Sequence, residues 1–378
     1  MLASPRLRGR RVGIVANPAS IDGSFRHIVD RLATAEGVAL GAIFGPQHGF
    51  NADVQDNMIE TPHDKDARRE VAIYSLYSET REPTPAMLAG LDVLVIDLQD
   101  VGARIYTFIY TMANCLKAAG RVGLPVVVCD RPNPIGGIDV EGPQLLPGFE
   151  SFVGQYAIPM RHGLTIGELA RLFNEHFHLG ANLEVVKMEG WKREHYWDDT
   201  RLPWVIPSPN MPTLDSAIVY PGTVLFEGTQ LSEGRGTTRP FELLGAPWVH
   251  AEAFAARMNH AGIAGVFFRP ATFEPTFQKH ARTACGGCQI HVTDRRLFPP
   301  VAVGAALLRE FCGIAPDRFA WRMPPYEYEH DKMPIDILAG SPALREQVEA
   351  QTPLPDIVGS WAEGEGAFRE LRRSVLLY

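Results

Sequence analysis

The segment 226–240 has the composition of a catalytic loop. It reads FEGTQLSEGRGTTRP and carries Glu227, Glu233 and Arg235 among glycines, with almost no apolar filler. Such a stretch can hardly form core, and the alternative of a flexible surface loop is disfavoured because apolar residues such as Phe226 would anchor it. We predict a catalytic role for Glu227 and substrate binding by Glu233 and Arg235.

Paired carboxyl groups suit the cleavage of glycosidic bonds. One protonated acid donates to the leaving oxygen, and a second group stabilises or attacks the oxocarbenium-like centre. The acid needs a raised pKa, which partial burial in a cleft would supply. Because spacing along a sequence does not set the distance between two carboxyl groups, retaining and inverting mechanisms both stay open.

A second polar segment, FGPQHGFNADVQDN (44–57), follows an apolar run and places amides, a histidine and carboxylates in one turn. Gly49 suits a backbone conformation that other residues resist. The functional interpretation is a polar pocket floor, with Gln47, His48 and Asp53 as catalytic candidates. The structural alternative is a tight βα loop with a solvated histidine.

A third polar segment, DLQDVGARIY (97–106), also follows an apolar run. Asp100, Arg104 and Tyr106 are predicted to bind substrate, although Asp100 and Arg104 also suit a simple ion pair at a helix start. Tyr106 and Tyr110 lie one helical turn apart and would share a helix face, either as sugar-stacking or as core residues.

Four more candidates stand in other polar segments. Asn133 lies in DRPNPIGG, Asn210 lies in PSPNMP, and Arg161 and His162 directly precede a predicted helix. All four are predicted to bind substrate, and a buried structural histidine is the alternative for His162. Neither GxSxG nor HExxH occurs, so neither a hydrolase triad nor metal-ligand spacing is indicated.

Short apolar runs alternate with helical spacing through the first 130 residues. The runs are apolar throughout, which indicates strands buried on both faces of a parallel sheet. They comprise residues 12–16, 40–44, 93–96 and 126–129, with helical spacing at 24–36 and 106–119. This alternation predicts an α/β fold with a Rossmann-like, doubly wound sheet. Ligands of such sheets bind outside the carboxyl ends of the strands, where the polar segments begin.

Nucleotide-binding motifs do not accompany this sheet pattern. No GxGxxG follows the first apolar run, and no GxxxxGK[ST] occurs in the sequence. We therefore expect no dinucleotide or nucleotide cofactor. A nucleotide-dependent enzyme is an alternative that rests on fold class alone, and fold is a poor guide to function.

A Pro/Gly-rich stretch, 132–147, interrupts the pattern. It predicts a boundary between a Rossmann-like domain, residues 1–145, and a smaller α/β domain, residues 146–378, that closes the cleft. Residues 165–177 predict an amphipathic helix capped by Thr165, with Glu168 three residues on.

The remaining elements of the second domain are a strand at 183–188, a long irregular segment at 191–245, and strands at 266–269 and 289–292. Long irregular segments inside compact domains are uncommon and usually functional.

Composition favours a small-molecule partner. The 378 residues are 46% hydrophobic and carry a net charge of −8, which suits a two-domain globular protein and disfavours nucleic-acid binding. The apolar stretches are shorter than the roughly 18–20 residues of a membrane span. The run after the basic start is too short for a secretory signal, so a cytoplasmic location is expected.

Five cysteines do not form a disulfide framework. Cys285 and Cys288 have CxxC spacing, but no second ligand pair lies near them. We interpret them as ordinary thiols in a loop, with a metal or redox site as the alternative.

Eight segments, in order over most of the chain, are shared with one known family. They are FGPQHGF (44–50), DLQDVGARIYTFIYTM (97–112), DRPNPIGG (130–137), VEGP (140–143), PMRHGLTIGELA (159–170), PSPNMPTLD (207–215), YPGT (220–223) and FEGTQLSEGRGTTRPFE (226–242). Through them the chain resembles the NamZ-type exo-β-N-acetylmuramidases. The resemblance implies a cleft between a Rossmann-like and a smaller domain, and release of N-acetylmuramic acid from the non-reducing end of peptidoglycan fragments without a cofactor. Such proteins are often exported.

One departure from the family pattern concerns the catalytic acid. The resemblance implies Pro-Glu-His-Gly where this chain has PQHG (46–49). Gln47 has no acidic proton to donate. Either another carboxylate takes the role, the substrate differs, or the chain is a muropeptide- or sugar-binding protein that has lost catalysis. The candidate carboxylates are Asp53, Glu60, Glu227 and Glu233.

Overall fold

The computed structural model of the chain describes residues 6–56 and 58–378. Residues 1–5 of the basic start and Asn57, the last residue of the 44–57 segment, lie outside the described residues. The strands are β1 (Arg10–Ala16), β2 (Val38–Gly45), β3 (Asp64–Asp66), β4 (Val71–Ser75), β5 (Val93–Asp97), β6 (Val126–Cys129), β7 (Glu141–Gln144), β8 (Pro159–Arg161), β9 (Leu183–Val186), β10 (Leu243–Ala246), β11 (Val266–Phe273) and β12 (Cys285–Val292).

The α-helices are α1 (Ile28–Ala33), α2 (Pro85–Leu88), α3 (Phe108–Val122), α4 (Ile166–His176), α5 (Leu214–Thr223), α6 (Ala251–His260), α7 (Pro300–Ile314), α8 (Pro334–Ala339), α9 (Ala343–Glu349), α10 (Leu354–Gly359) and α11 (Ala362–Arg372). Short 3-10 helices span Trp197–Thr200, Val224–Gly228 and Arg373–Val375. Within residues 6–56 and 58–378, no helix is long and apolar enough to cross a bilayer.

A seven-stranded sheet has the order β3-β4-β2-β1-β5-β6-β9, and only β3 runs antiparallel to its neighbour. From β1 the chain first builds outward through β2 and β4, and it then returns to add β5 and β6 on the other side. The chain direction therefore switches between β1 and β5, which is where such sheets open a crevice for ligands.

Both faces of this sheet are covered. Ile14 packs in a cluster with Val29 and Leu32 of α1, whereas its neighbour Val15 belongs to the large core that contains α3 and α4. Since successive strand residues point to opposite faces, β1 must be apolar throughout. The predicted doubly wound α/β fold is thereby confirmed, with the four predicted strands at β1, β2, β5 and β6.

A second, smaller sheet is antiparallel, with the order β10-β12-β11. Its glycines allow unusually close strand contacts: a Cβ added at Gly286 would lie 2.1 Å from the carbonyl oxygen of Val249, and one at Gly287 would lie 1.9 Å from that of Leu244. Cys285 and Cys288 are free thiols in β12, so the prediction that they lie in a loop is wrong.

The prediction of an irregular segment at 191–245 is also wrong in part, because this segment contains α5. Pro221 and Gly222 signal a turn but lie in the last turn of the helix. A Cβ at Gly222 would be 1.8 Å from the carbonyl oxygen of Pro300, so this glycine permits close packing of α5 on α7. Tertiary packing here overrides the local turn signal.

Strand β9 lies beyond the domain boundary predicted at residue 145, so the large sheet and the predicted first domain do not share the same limits. The core is likewise continuous: Ile96 of the large sheet and Phe268 of the small sheet belong to one buried cluster. The two sheets are thus joined through one core, and a site can be built from residues of both.

Helix α4 begins with the predicted capping box. The Thr165 side chain accepts a hydrogen bond from the Glu168 backbone N–H, and the Glu168 carboxylate accepts one from the Thr165 N–H. The Thr165 hydroxyl also donates to Asp130 Oδ2 at 2.8 Å. This cap therefore joins the start of α4 to the carboxyl end of β6.

We expect Thr165→Ala to lower the free energy of unfolding by about 1–2 kcal/mol, because it removes the cap and one donor to a buried carboxylate. Urea denaturation at neutral pH measures the loss. The matched control is Thr165→Ser, which keeps the hydroxyl and should retain most of the stability. An unchanged midpoint for Thr165→Ala would contradict this role.

Candidate active site

A narrow cavity lies between the large sheet and the small-sheet half of the chain. Its lining comes from the loop after β2, the segment before α3, the end of α5 with the 3-10 helix that follows, and the loop after α7. The lining residues are Gln47, His48, Ile105, Tyr106, Thr107, Phe108, Val153, Ser208, Asn210, Met211, Tyr220, Glu227, Arg235, Phe241, Tyr326 and Glu327. The enclosed volume is about 40 Å³, so the cleft is nearly closed.

Glu227 is buried in this cavity, on the 3-10 helix Val224–Gly228. Its Oε1 accepts a hydrogen bond from Arg235 Nη2 at 2.6 Å, and its Oε2 accepts one from the Tyr326 hydroxyl at 2.7 Å. Burial alone would raise the pKa of Glu227, but the charge and hydrogen bond of Arg235, with help from Tyr326, lower it below its ordinary value. Glu227 is therefore ionised at neutral pH.

Glu227 belongs to a buried network of charged side chains. Arg235 also approaches Glu233, with 3.4 Å between its Nε and Glu233 Oε1. Lys279 Nζ donates to Glu233 Oε2 at 2.7 Å and to the carbonyl oxygens of Phe226 and Leu231. The charges of two carboxylates and two cations thus cancel in the buried interior. Removal of any one of them would leave an uncompensated buried charge.

Glu327 faces the cavity from a tight turn. Tyr326 and Glu329 exchange two backbone hydrogen bonds of 2.9 Å, and the two residues between them have positive φ, 45° at Glu327 and 68° at Tyr328. This is the pattern of a type I′ turn, which ordinarily selects Asn and Gly. A glutamate and a tyrosine are strained in this conformation, and such strain is concentrated at functional sites.

The surroundings of Glu327 raise its pKa, whereas the surroundings of Glu227 lower the pKa of that residue. Glu327 Oε2 accepts a hydrogen bond from the Tyr77 hydroxyl at 3.2 Å. Burial, together with the negative charge of Glu227, raises the pKa of Glu327 to about 7. A large fraction of this carboxyl group is therefore protonated near neutral pH, as a proton donor requires.

Gln47 lies beside Glu327. Its Oε1 accepts a hydrogen bond from the Thr107 hydroxyl at 2.7 Å, which leaves the amide NH₂ for Glu327. That hydrogen bond moderates the rise in the pKa of Glu327. The position where the family resemblance implies a glutamate is thus in contact with another glutamate.

His48 follows Gln47 with a φ of 70° and is also buried. Its Nδ1 lies 2.7 Å from the Val54 carbonyl oxygen, so Nδ1 carries the proton. Burial, with a smaller contribution from the charge of Arg235, lowers the pKa of His48 to about 4. His48 is therefore neutral at physiological pH, and it does not fit the prediction of a solvated histidine.

Three of the residues predicted to bind substrate line the cavity: Arg235, Tyr106 and Asn210. The Tyr106 ring meets Tyr220 edge to face, with centroids 6.0 Å apart. Asn210 donates from Nδ2 to the Gln55 carbonyl oxygen at 3.1 Å. Tyr110 packs elsewhere, stacked on Phe173, so the predicted shared face of Tyr106 and Tyr110 is wrong: α3 begins only at Phe108.

Arg104 is fully buried and lies outside the cavity lining. Its Nη1 donates to the carbonyl oxygens of Pro143 and Ile158, and its Nη2 donates to that of Leu338. Asp100 accepts a hydrogen bond from the Gly102 N–H and lies 3.5 Å from His162 Nε2. The alternative of an Asp100–Arg104 ion pair is therefore wrong.

The remaining predicted residues are likewise away from the cavity lining. Asn133 bonds the Leu164 carbonyl oxygen and the Ile135 N–H, and Arg161 donates to the Ile135 carbonyl oxygen. Glu233 lies behind Arg235, and Asp53 is exposed. Sequence reasoning missed Glu327, Tyr326 and Tyr77, although the PPYEYE segment (324–329) alternates carboxylates with aromatic residues.

A larger cavity, of about 730 Å³, lies at the carboxyl ends of β1, β5 and β6. Two of its buried acidic side chains already have partners: Asp97 is bound by Arg131, and Asp130 accepts hydrogen bonds from Gly167, Thr165 and Tyr378. The narrow cavity, in contrast, brings together two carboxyl groups in different protonation states. Within residues 6–56 and 58–378, no group of three or more His, Cys, Asp or Glu is arranged to hold a metal ion.

Comparison with known proteins identifies the family of the chain. The family described as exo-beta-N-acetylmuramidase NamZ, N-terminal, matches residues 12–215, and its C-terminal counterpart matches residues 218–378. The peptidoglycan beta-N-acetylmuramidase NamZ of Bacillus subtilis (strain 168) is 45% identical over 373 residues, covering 99% of this chain and 88% of that protein.

Two crystal structures of DUF1343 family proteins from Bacteroides fragilis NCTC 9343 are also similar. One has a TM-score of 0.89 and 36% identity, covering 98% of this chain and 95% of that one. The other has a TM-score of 0.77 and 26% identity, covering 100% of this chain and 96% of that one.

Two carboxyl groups facing one cleft are the arrangement that glycosidases use. The chain belongs to the NamZ exo-β-N-acetylmuramidase family, and it is an exo-acting, β-N-acetylmuramidase-like glycosidase. The family resemblance deduced from the sequence is thereby confirmed.

We expect Arg104→Met to destabilise the fold and to leave the affinity for substrate unchanged, because Arg104 satisfies three backbone carbonyl groups. The free energy of unfolding should fall by about 3 kcal/mol or more, as expected when buried acceptors lose their donors. Chemical denaturation and the KM of the folded fraction measure the two effects. A raised KM at full stability would instead support the substrate-binding role predicted from the sequence.

Proposed function

We propose that this enzyme releases N-acetylmuramic acid from the non-reducing end of peptidoglycan fragments, with Glu327 as the general acid and Glu227 as its ionised partner. The observation that carries the proposal is that one cavity holds two buried glutamates with opposite hydrogen-bonding environments. Pairs of titratable groups whose pKa values are pushed apart identify the acid and the base of a reaction.

Glu327 fits the acid because its carboxyl group keeps a proton near neutral pH. It would deliver that proton to the glycosidic oxygen as the bond to the anomeric carbon breaks, so that the leaving sugar departs as a neutral alcohol. Water supplies the new hydroxyl group at the anomeric carbon of the released N-acetylmuramic acid and gives up a proton in doing so. The Tyr77 hydroxyl and the Gln47 amide fix the orientation of this carboxyl group and leave it facing the cavity.

Glu227 fits the second role because Arg235 and Tyr326 keep it negatively charged. A fixed carboxylate stabilises the positive charge that develops on the sugar ring in the transition state. It needs no reorganisation when the charge appears, since both of its oxygens are already held.

Gln47 therefore affects the pKa of Glu327, the proposed acid, and does not donate the proton itself. Its amide donates to Glu327, whereas a glutamate at this position would place a second carboxyl group there. This supports transfer of the acid role to Glu327 over loss of catalysis. The alternative, a muropeptide-binding protein without turnover, predicts saturable binding of a muramic-acid sugar and no release of product.

Substrate entry requires the cleft to widen. The cavity encloses about 40 Å³, whereas sites for small ligands occupy roughly 300–1,000 Å³. The lining comes from both halves of the chain, so a small separation of the two halves would enlarge it. A pocket closed by Phe108, Tyr220 and Phe241 suits the terminal sugar of a chain, which is the requirement for exo action.

Wild-type enzyme should hydrolyse a β-linked N-acetylmuramyl disaccharide, and Glu327→Gln should lower kcat by about 10²–10⁴-fold through loss of the acid. The loss should shrink for an aryl muramide, whose leaving group needs little protonation. The comparison variant is Asp53→Asn, at an exposed carboxylate, which should keep kcat within about twofold of wild type. If Asp53→Asn abolished activity while Glu327→Gln did not, the acid would instead lie in the loop after β2.

The pH profile of kcat/KM should fall on the alkaline side with a midpoint near 7, where Glu327 loses its proton. Gln47→Glu should move that midpoint upward by about one pH unit, because two adjacent carboxyl groups share one proton. Gln47→Met removes the amide donor without adding charge and should cause a smaller upward shift. An unmoved alkaline limb in Gln47→Glu would mean that another group titrates.

A further inference from the structure

A groove on the far side of Glu327 from the catalytic cavity is the second feature of interest. It encloses about 530 Å³ and is more open than the cavity. Glu327 lines both spaces, and the groove is otherwise formed by the loop after β4, the loop at 151–155 and the turn at 327–329. We name this space the acid-side groove.

We propose that the acid-side groove is the subsite for the leaving-group sugar, and that it selects an uncharged N-acetylhexosamine stacked on Tyr328 and Phe152. This inference rests on the proposed function, since it extends the role of Glu327 as the acid. A general acid must reach the oxygen that joins two sugars. The sugars therefore lie on either side of Glu327, one in the closed cavity and one in the open groove.

The tight turn at Glu327 and Tyr328 contributes side chains to both the catalytic cavity and the acid-side groove. Adjacent residues with positive φ expose Tyr328, which is 44% accessible, while Glu327 is buried at 2%. The turn thus places the Glu327 side chain between the cavity and the acid-side groove, and it places the Tyr328 ring in the groove. Aromatic faces with a few polar neighbours are the usual lining of sites for small ligands.

Arg81 packs against two aromatic rings beside the acid-side groove. Its guanidinium carbon lies 4.3 Å from the centroid of the Tyr77 ring and 4.5 Å from that of the Tyr328 ring. Tyr77 in turn packs on Phe152, with centroids 5.2 Å apart, and donates its hydroxyl hydrogen bond to Glu327. One cluster therefore fixes both the acid and the surface on which the leaving sugar would rest.

The charges of the groove favour an uncharged sugar. Arg81 is the sole cation among the lining residues that the structure describes, and its Nη2 already donates to Glu60 at 3.1 Å. Glu79 and Glu329 add negative charge, although His63 and Lys332 pair with them from outside the groove. A muramic acid carboxylate would find no spare cation here and would meet several carboxylates, so its binding is disfavoured.

The test compares two substrates whose leaving groups differ in size but need similar protonation: the N-acetylmuramyl-β-1,4-N-acetylglucosamine disaccharide and methyl β-N-acetylmuramide. Tyr328→Ala and Phe152→Ala should each lower kcat/KM for the disaccharide by about tenfold, chiefly through KM, because a ring contact is lost. On the methyl glycoside, which leaves the groove empty, each variant should lose clearly less, at most about threefold, through the contact of each ring with Tyr77. Tyr328→Phe keeps the ring and should restore the disaccharide rate.

The matched control is Met323→Ala, at a residue 65% exposed and outside the groove lining, which should change neither rate. Equal losses on both substrates, or no loss on the disaccharide, would overturn the subsite. Wild-type enzyme that cleaves neither substrate would instead overturn the proposed function.

Free sugars supply a second readout. N-acetylglucosamine should inhibit the wild type competitively, and Tyr328→Ala should weaken this inhibition about tenfold. If N-acetylmuramic acid inhibits with the same dependence on Tyr328, the selection for an uncharged sugar is wrong.

Discussion

Four charged side chains buried together hold the catalytic cavity in shape: Glu227, Arg235, Glu233 and Lys279. In a low-dielectric interior an unpaired charge is destabilising by several kcal/mol, about 3–5 when one member of a pair is removed. The segment that carries three of these residues is rich in glycine and has few apolar side chains of its own. Electrostatic pairing therefore replaces much of the packing that would normally order such a segment. The same pairing fixes the protonation state of Glu227.

Burial affects the two glutamates of the cavity differently because their neighbours differ. Glu227 has a guanidinium group in direct contact, whereas Glu327 has a tyrosine hydroxyl, an amide and the charge of Glu227. The ionised state of one thus promotes the protonated state of the other. In the proposed mechanism, the acid role and the charge-stabilising role are in this way divided between two residues of the same type, and the division depends on Arg235. Gln47 fits this scheme since an amide beside Glu327 adds no further negative charge.

Sequence reasoning predicted the large sheet and the loop with Glu227, because both have local signals. Buried strands are apolar throughout, and a polar, glycine-rich loop with carboxylates cannot be core. Glu327 had no such signal: its raised pKa arises from burial and from the charge of Glu227, and its hydrogen-bond partner Tyr77 is 250 residues away in sequence. The opposite error concerns Arg104 and Asn133, which follow strands of the sheet as ligand-binding residues do. They satisfy backbone groups of buried loops, a demand that a single sequence does not distinguish from substrate binding. Helix α5 was missed because Pro221 and Gly222 signal a turn locally, while the contact with α7 that favours the helix is distant in sequence.

The left-handed backbone at Glu327 and Tyr328 sets a limit on how this enzyme can be stabilised. Residues with a Cβ are strained there, and glycine or asparagine would relax the turn. Searches for thermostable variants, which reward relief of backbone strain, would accordingly favour replacements at the two positions to which we assign the acid and the stacking ring.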